Sequence, residues 1–386
     1  MGIPAADSNS NLYRRPGPGL LLALAWPALK ILSLLLSRRG NSGGSGPGAG
    51  KGLVIFQSYL VGDFYMALPA ILALSRHMPV TVLGRPDCLF ALEGTGVTAV
   101  GFECPYHTRS GVTAYWTAFR NALALRRRFS RRGPLSGFRM AVDFDGDPRT
   151  AFLLKAAGLG PVLSYARPYA WIFDRLLPVD PAIRHQSLKD DALASAILAE
   201  RGIAPEAPAG DAPEPVRRDP APGSLVLSCW TRKDTKNWPF EHWDGLLAFL
   251  HGQGRPLIMI VPPDGDADFQ AFRSHWEGRI EFLAGGLQKV SAAVRACSGV
   301  IGTDNFLGHM AAHLGKPVLW INGSSESAHV APRGPGTTVV QLDPMPCRPC
   351  RHRCINPVHK QCLVELRPEA AIAAAKTWLS KLEQAE

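Results

Sequence analysis

The stretch Leu225-Val-Leu-Ser-Cys-Trp-Thr-Arg-Lys-Asp-Thr-Lys-Asn-Trp-Pro239 decides the fold class of this chain. Leu225 to Ser228 is an apolar run of strand length. A polar loop framed by Trp230 and Trp238 follows. Pro239 then opens an amphipathic segment to about His251, because proline suits the first turn of a helix. Strand, loop and helix in this order form the repeating unit of a parallel sheet covered on both faces.

The same alternation extends in both directions. Downstream, Leu257-Ile-Met-Ile-Val261, Val300-Ile301 and Pro317-Val-Leu-Trp-Ile321 read as strands, with a helix near Leu307–Leu314. Upstream, Leu53-Val-Ile-Phe56, Val80-Thr-Val-Leu83 and Met140-Ala-Val-Asp-Phe144 read as strands. Helices are expected at Phe64–His77 and Thr113–Ser130. Residues 204–222 break the pattern with six prolines and read as a linker. The expectation is an α/β chain of two doubly wound lobes, with a ligand cleft at the carboxyl ends of the strands. Its parts are a leader at 1–50, a first lobe at 51–203, the linker, a second lobe at 223–366 and a C-terminal helix at 367–386.

Composition agrees with a folded chain. The 386 residues are 46% hydrophobic and 19% charged, which excludes a disordered polymer. Eight cysteines at this length exclude a disulfide miniprotein. The formal charge is +10, which suits nucleic acid, an anionic membrane surface or an anionic substrate. Nothing resembles a nucleic-acid-binding motif, so no nucleic-acid partner is expected.

Four of the ten charges belong to the leader: Arg14, Arg15, Lys30, Arg38 and Arg39 against Asp7. Leu20 to Leu36 is an apolar run interrupted by Pro27, Lys30 and Ser33. On a helix these interruptions make one weakly polar stripe opposite a broad Leu/Ile face. Flanking arginines suit a helix lying on an anionic membrane surface. A signal peptide fits less well, since Lys30 interrupts the run and no small-x-small site follows. A leader without fixed structure is the plainer alternative. The Gly/Ser tether beyond it ends in Gly46-Pro-Gly-Ala-Gly-Lys51-Gly, which is no phosphate loop. Ser45 stands where the first glycine belongs, and Gly52 where Ser or Thr belongs.

Chemistry-bearing residues gather in the loops between strands and helices. In Ser58-Tyr-Leu-Val-Gly62-Asp63, Gly62 would ease a tight turn. Asp63 is either a helix N-cap or a catalytic base. In the opening stretch, Thr231, Arg232, Lys233, Thr235 and Lys236 precede a helix, an arrangement suited to phosphate. A solvated loop is the alternative. In Gly302-Thr-Asp-Asn-Phe-Leu-Gly-His309, Asp304 and His309 flank a helix start, where they could touch a ribose or phosphate. Cys347, Cys350, Cys354 and Cys362, with His352 and His359 interleaved, carry one Cys-x2-Cys pair. They read as free thiols, as a zinc or iron site, or as redox disulfides. Arg126, Arg127, Arg128, Arg131 and Arg132 crowd a helix end, where cations complement the dipole or hold an anionic acceptor.

Taken together, these segments resemble glycosyltransferase family 9, the bacterial lipopolysaccharide heptosyltransferases. Gly62-Asp63 with Leu68-Pro69-Ala70 is similar to the family's opening motif. Thr231-Arg232, Lys236, Trp238-Pro239 and Trp243 are similar to its central motif. Asp304, His309, Ala311-Ala312, Gly315 and Pro317 are similar to its third motif, and the cysteine tail with Arg367-Pro368-Glu369 recurs among relatives. The resemblance covers about residues 52–380 in order. It implies a GT-B fold of two Rossmann-like lobes, with the acceptor on the first lobe and the donor on the second. It also implies inverting transfer that requires no cofactor, so any zinc or iron at the cysteines would be structural. Asp63 would be the general base. Lys236 and Thr231, assisted by Arg232, would hold the donor diphosphate, with Asp304, Asn305 and His309 beside it. Arg120, Arg126 and Arg127 are candidates for acceptor contact. One of Asp264, Asp266 and Asp268 would meet the ribose.

The family usually has Thr/Ser-Gly after the aspartate, where this chain has Asn305-Phe306. Phe306 brings bulk where glycine would let a ligand approach. The expected partners are a nucleotide-sugar donor such as ADP-heptose, an anionic lipid-linked glycan acceptor and the cytoplasmic face of the inner membrane. The alternative is a non-catalytic nucleotide-sugar-binding or scaffold protein descended from this family.

Overall fold

The structure is a computed structural model of the chain. It describes residues 52–104, 112–130, 133–136, 138–144, 146–166, 172–204, 223–350 and 353–385. The expected leader helix, nearly all of the tether and of the linker, Arg131, Arg132 and His352 lie outside the described residues. Two compact units separate among the rest. One comprises residues 52–183 and 187–204, the other residues 184–186 and 223–385.

In the first unit the chain runs β1 (Gly52–Gln57), α1 (Val61–Ser75), β2 (Val80–Gly84), β3 (Thr98–Gly101) and α2 (Val112–Phe129). It continues through β4 (Phe138–Asp143), α3 (Pro148–Ala156), β5 (Val162–Tyr165), β6 (Arg175–Leu177) and α4 (Gln186–Glu200). The six strands form one parallel sheet in the order β3-β2-β1-β4-β5-β6. Leu53 lies opposite Val80 on one side and Met140 on the other. β1 is buried along its whole length, as a central strand covered on both faces must be. Val54, Phe56, Ala118, Ala141 and Leu154 belong to one core cluster of this unit.

The second unit runs β7 (Leu225–Ser228), a 3₁₀ turn (Asp234–Lys236), α5 (Phe240–Gly252), β8 (Leu257–Ile260), α6 (Ala267–Trp276) and β9 (Glu281–Leu283). Then come α7 (Leu287–Ala296), β10 (Gly299–Thr303), α8 (Phe306–His313), β11 (Val318–Asn322) and α9 (Ser327–Val330). It closes with β12 (Thr338–Gln341), α10 (Gln361–Val364) and α11 (Pro368–Ala385). Its sheet is parallel as well, in the order β12-β11-β10-β7-β8-β9. The C-terminal helix α11 packs into this unit's core through Ala371, Ala375, Trp378 and Leu382, beside Trp238 and Trp243. Trp378 Nε1 donates to the Gly336 carbonyl at 3.1 Å.

Both sheets wind outward from a central pair, β1/β4 in one and β7/β10 in the other. In open α/β sheets the crevice at the carboxyl ends of such a pair is where ligands bind. Among the described residues no helix is long and apolar enough to cross a membrane.

Candidate active site

In the second unit the loops leaving β7 and β10 meet. Asn305 Nδ2 donates to Ser228 Oγ at 2.7 Å, tying the end of β7 to the loop after β10. Asn305 also caps α8, its Oδ1 accepting the Leu307 N–H at 2.9 Å. Both ends of this amide are therefore occupied, and its contribution is to shape the start of α8. Phe306 is the first helical residue and is only partly buried.

Lys236 ends the 3₁₀ turn. Its Nζ lies 2.7 Å from Asp304 Oδ2. Asp304 is buried and also accepts a hydrogen bond from Ser325 Oγ. Burial pushes the Asp304 carboxyl up, but the Lys236 ammonium and the Ser325 hydroxyl outweigh it and hold the group below its ordinary value. Asp304 is thus a buried carboxylate with a cation at its mouth. His309 lies one turn into α8 and is buried. Burial, with His185 and Lys236 as further influences, outweighs Asp304 and brings it down to about 4, so its imidazole is neutral near pH 7. His185 belongs to the short segment 184–186 of this unit, and its Nε2 sits 2.9 Å from the Ala331 carbonyl oxygen.

The loop between β7 and α5 is braced from within. Asn237 Oδ1 accepts the Thr231 N–H at 2.7 Å, and its Nδ2 donates to the Thr231 carbonyl at 2.8 Å. Trp238 is core, with Nε1 donating to the Leu366 carbonyl at 2.7 Å. Arg232 is not brought to Asp304. Its guanidinium is exposed and pairs with Asp264. The three acids after β8 separate in role. Asp266 caps α6 through the Phe269 N–H at 2.9 Å and accepts from Trp230 Nε1 at 3.1 Å. Asp268 lies in the first turn of α6. Asp264 meets Arg232.

In the first unit Asp63 is the third residue of α1. The N-cap position belongs to Leu60, which has no capping side chain. The N-cap reading of Asp63 is therefore corrected: its carboxylate belongs to a first helical turn, where the dipole favours negative charge. Gly62 lies in that same turn and not in a left-handed one. Gln57 Nε2 donates to the Asp63 carbonyl at 2.9 Å. Because α1 follows β1, Asp63 stands at the carboxyl end of the β1/β4 pair.

The arginines of α2 are placed differently. α2 runs from the carboxyl end of β3 to the amino end of β4, so Arg126 and Arg127, in its last turn, lie at the opposite end of the sheet from Asp63. Arg120 is exposed midway along the helix.

Cys347, Cys350, Cys354 and Cys362 form no disulfide among the described residues and line one small cavity with Thr235 and Lys360. Cys354 Sγ accepts the Lys360 N–H at 3.1 Å, and Cys347 Sγ accepts from Asn356 Nδ2 at 3.3 Å. Among the described residues no three His, Cys, Asp or Glu side chains are arranged to hold a metal ion. The expectation of zinc or iron at these four residues gains no support from this donor set.

Several residues of this site carried no sequence signal. Ser325, Ser228, Asn237 and His185 are single polar residues 21, 77, 6 and 146 positions from their partners. Asn237 alone was findable, as an amide beside the basic loop.

A family model described as glycosyltransferase family 9 (heptosyltransferase) matches residues 127–359. No curated protein matches the chain in sequence. Solved structures share its fold at low identity. A family 9 glycosyltransferase from Veillonella parvula is 15% identical, with a TM-score of 0.67 over 86% of this chain and 97% of that one. The E. coli heptosyltransferase WaaC, solved with ADP, is 16% identical at 0.64, over 86% and 99%. E. coli ADP-heptose lipopolysaccharide heptosyltransferase II is 13% identical at 0.62, over the same shares. The fold expected from sequence, α/β of GT-B type, is the fold observed.

Proposed function

The chain belongs to glycosyltransferase family 9, the heptosyltransferase family, and from that premise we propose that it moves a heptose or related sugar onto a lipopolysaccharide-core or other cell-envelope glycan. It is a glycosyltransferase, and its donor is a nucleotide sugar. The reaction proposed is inverting and routes no step through a metal. ADP-heptose is the donor proposed, from the name of E. coli ADP-heptose lipopolysaccharide heptosyltransferase II and from the ADP with which WaaC was solved.

The observation that carries this reading is the pair of half-buried Lys236 and buried Asp304 at the β7/β10 switch point, beside the amino end of α8. A diphosphate there would meet an ammonium and the positive end of a helix, both of which stabilise anions. As the anomeric C–O bond breaks, the leaving diphosphate gains charge and Lys236 receives it. Neutral His309 offers a hydrogen bond without adding charge. In this mechanism Asp63 takes the proton of the acceptor hydroxyl as that oxygen attacks the anomeric carbon. An anionic, lipid-linked acceptor fits the chain's +10 charge. The basic, apolar leader would hold the enzyme on the cytoplasmic face of the inner membrane.

The test is Asp63→Asn in the full chain, assayed with a panel of ADP-, GDP- and UDP-sugars. Turnover should fall on the order of 10²–10⁴-fold while nucleotide binding persists. Undiminished turnover would remove Asp63 as the base. Tight nucleotide-sugar binding by the wild type with no product on any acceptor would favour a scaffold.

A further inference from the structure

The loop preceding α10 takes no part in the reaction proposed above. Yet it holds the one non-glycine residue among the described residues whose backbone is left-handed. Lys360 has φ 47° and ψ 40°, a conformation that an L-residue keeps only where its surroundings impose it. Three sets of contacts do so. The Lys360 N–H donates to Cys354 Sγ at 3.1 Å. Its carbonyl accepts from Leu363 at 2.8 Å and Val364 at 3.0 Å, opening α10. Its Nζ reaches Asp234 Oδ1 at 2.6 Å. The other oxygen of that carboxylate lies 2.5 Å from His359 Nε2.

Asp234 is the first residue of the 3₁₀ turn that Lys236 ends. Thr235, between them, is buried and lines the cysteine cavity together with Lys360. The turn is therefore gripped on both sides: Asn237 ties its far end to Thr231, and Lys360 with His359 ties its near end to the cysteine loop. Burial raises the Asp234 carboxyl, but the hydrogen bonds from Lys360 and His359 outweigh it, and the group is held below its ordinary value.

We infer that Lys360 and Asp234 are positioning residues, which fix the turn so that the Lys236 ammonium meets the donor diphosphate already in place. This rests on the donor reading above. A lysine is a flexible point charge, and ordering it before the ligand arrives lowers what binding must spend on ordering it later. The plain alternative is a surface ion pair. Asp234 and His359 are each more than half exposed, and such pairs usually contribute little.

The two readings separate in donor kinetics. Wild type, Lys360→Met, Lys360→Gly, Asp234→Asn and the double variant Lys360→Met/Asp234→Asn are compared in the full chain. The probes are ADP titration by calorimetry and steady-state turnover of the active ADP-sugar. Lys360→Gly relieves the left-handed backbone while removing the amine, so it separates strain from charge. Each single variant should weaken ADP and raise the donor KM about tenfold, with kcat changed less than about threefold. The double variant should be no worse than Asp234→Asn alone, because that variant already removes the carboxylate that Lys360 holds, together with its contact to His359. Wild-type ADP binding with unaltered KM in the variants overturns the inference alone, as does a loss in kcat at constant KM or a fully additive double variant. If the wild type binds no nucleoside diphosphate, the donor reading falls and this inference falls with it.

Discussion

At the scale of single residues, Asp304 is the buried charge on which the second unit's candidate site is built. It is a buried carboxylate, and Lys236 is its cation. Lys236→Met removes that cation and leaves the charge behind, which should cost about 3 kcal/mol of stability and about 100-fold in nucleotide affinity. Adding Asp304→Asn removes the stranded charge. The double variant should recover most of the stability and none of the affinity, read by urea unfolding and ADP titration. Recovery of both would show that the pair is structural only. Two histidines, the buried His309 and the half-buried His313, set the pH response. Burial is the main cause that brings His309 and His313 down to about 4, against about 6.5 in an unfolded chain. Between these values the unfolded chain binds more protons than the folded one. Stability should therefore be intact above about pH 6.5 and decline as pH falls toward 4. Thermal midpoints between pH 7.5 and 4.5 check this, and His313→Gln should flatten the decline. An unchanged slope in that variant would dismiss His313 as a contributor.

At the scale of elements, caps divide the acids after β8. Asp266 caps α6, so Asp266→Ala should lower stability by about 1 kcal/mol. Asp264 pairs with an exposed arginine, so Asp264→Ala should change stability by less than about 0.5 kcal/mol. Urea midpoints for the two variants distinguish a cap from a surface pair, and equal midpoints would refute the assignment. The central strands β1, β2, β4, β7, β8, β10 and β11 were legible because both faces are covered and the apolar run is continuous. The outer strands were not, and neither was the inner β5, a short buried run interrupted by Ser164. β3, β6, β9 and β12 are short and carry exposed positions, since an edge strand has a neighbour on one side only. Their letters lack the pattern that marks a buried strand. The start of α1 was missed for a related reason. Val61, Gly62 and Asp63 are partly exposed, and the amphipathic pattern becomes clear only at Phe64.

At the scale of the whole molecule, two parallel sheets of matching strand order each offer a switch point, and the loops quoted from sequence lie at those points. The leader supplies +4 of the formal +10. Deleting residues 1–45 should cut co-sedimentation with vesicles containing anionic phospholipid, and added salt should weaken what binding the full chain shows. Equal sedimentation of both chains would remove the leader as an anchor.

The chain's letters alone determined the α/β class, the two-lobe expectation and the three loops in which chemistry would gather. These are local properties: the period of apolar residues, the place of proline, and motifs read along the backbone. Only the tertiary structure decided that Arg232 faces Asp264, that Asn305 caps α8 and braces β7, and that Ser325 and Lys236 share Asp304. It alone brought Lys360 to Asp234. Those pairings join residues up to 126 positions apart, and nothing in the local pattern records them. A hydrogen bond depends on where folding brings two groups, and that is settled by packing of the sheets and helices between them.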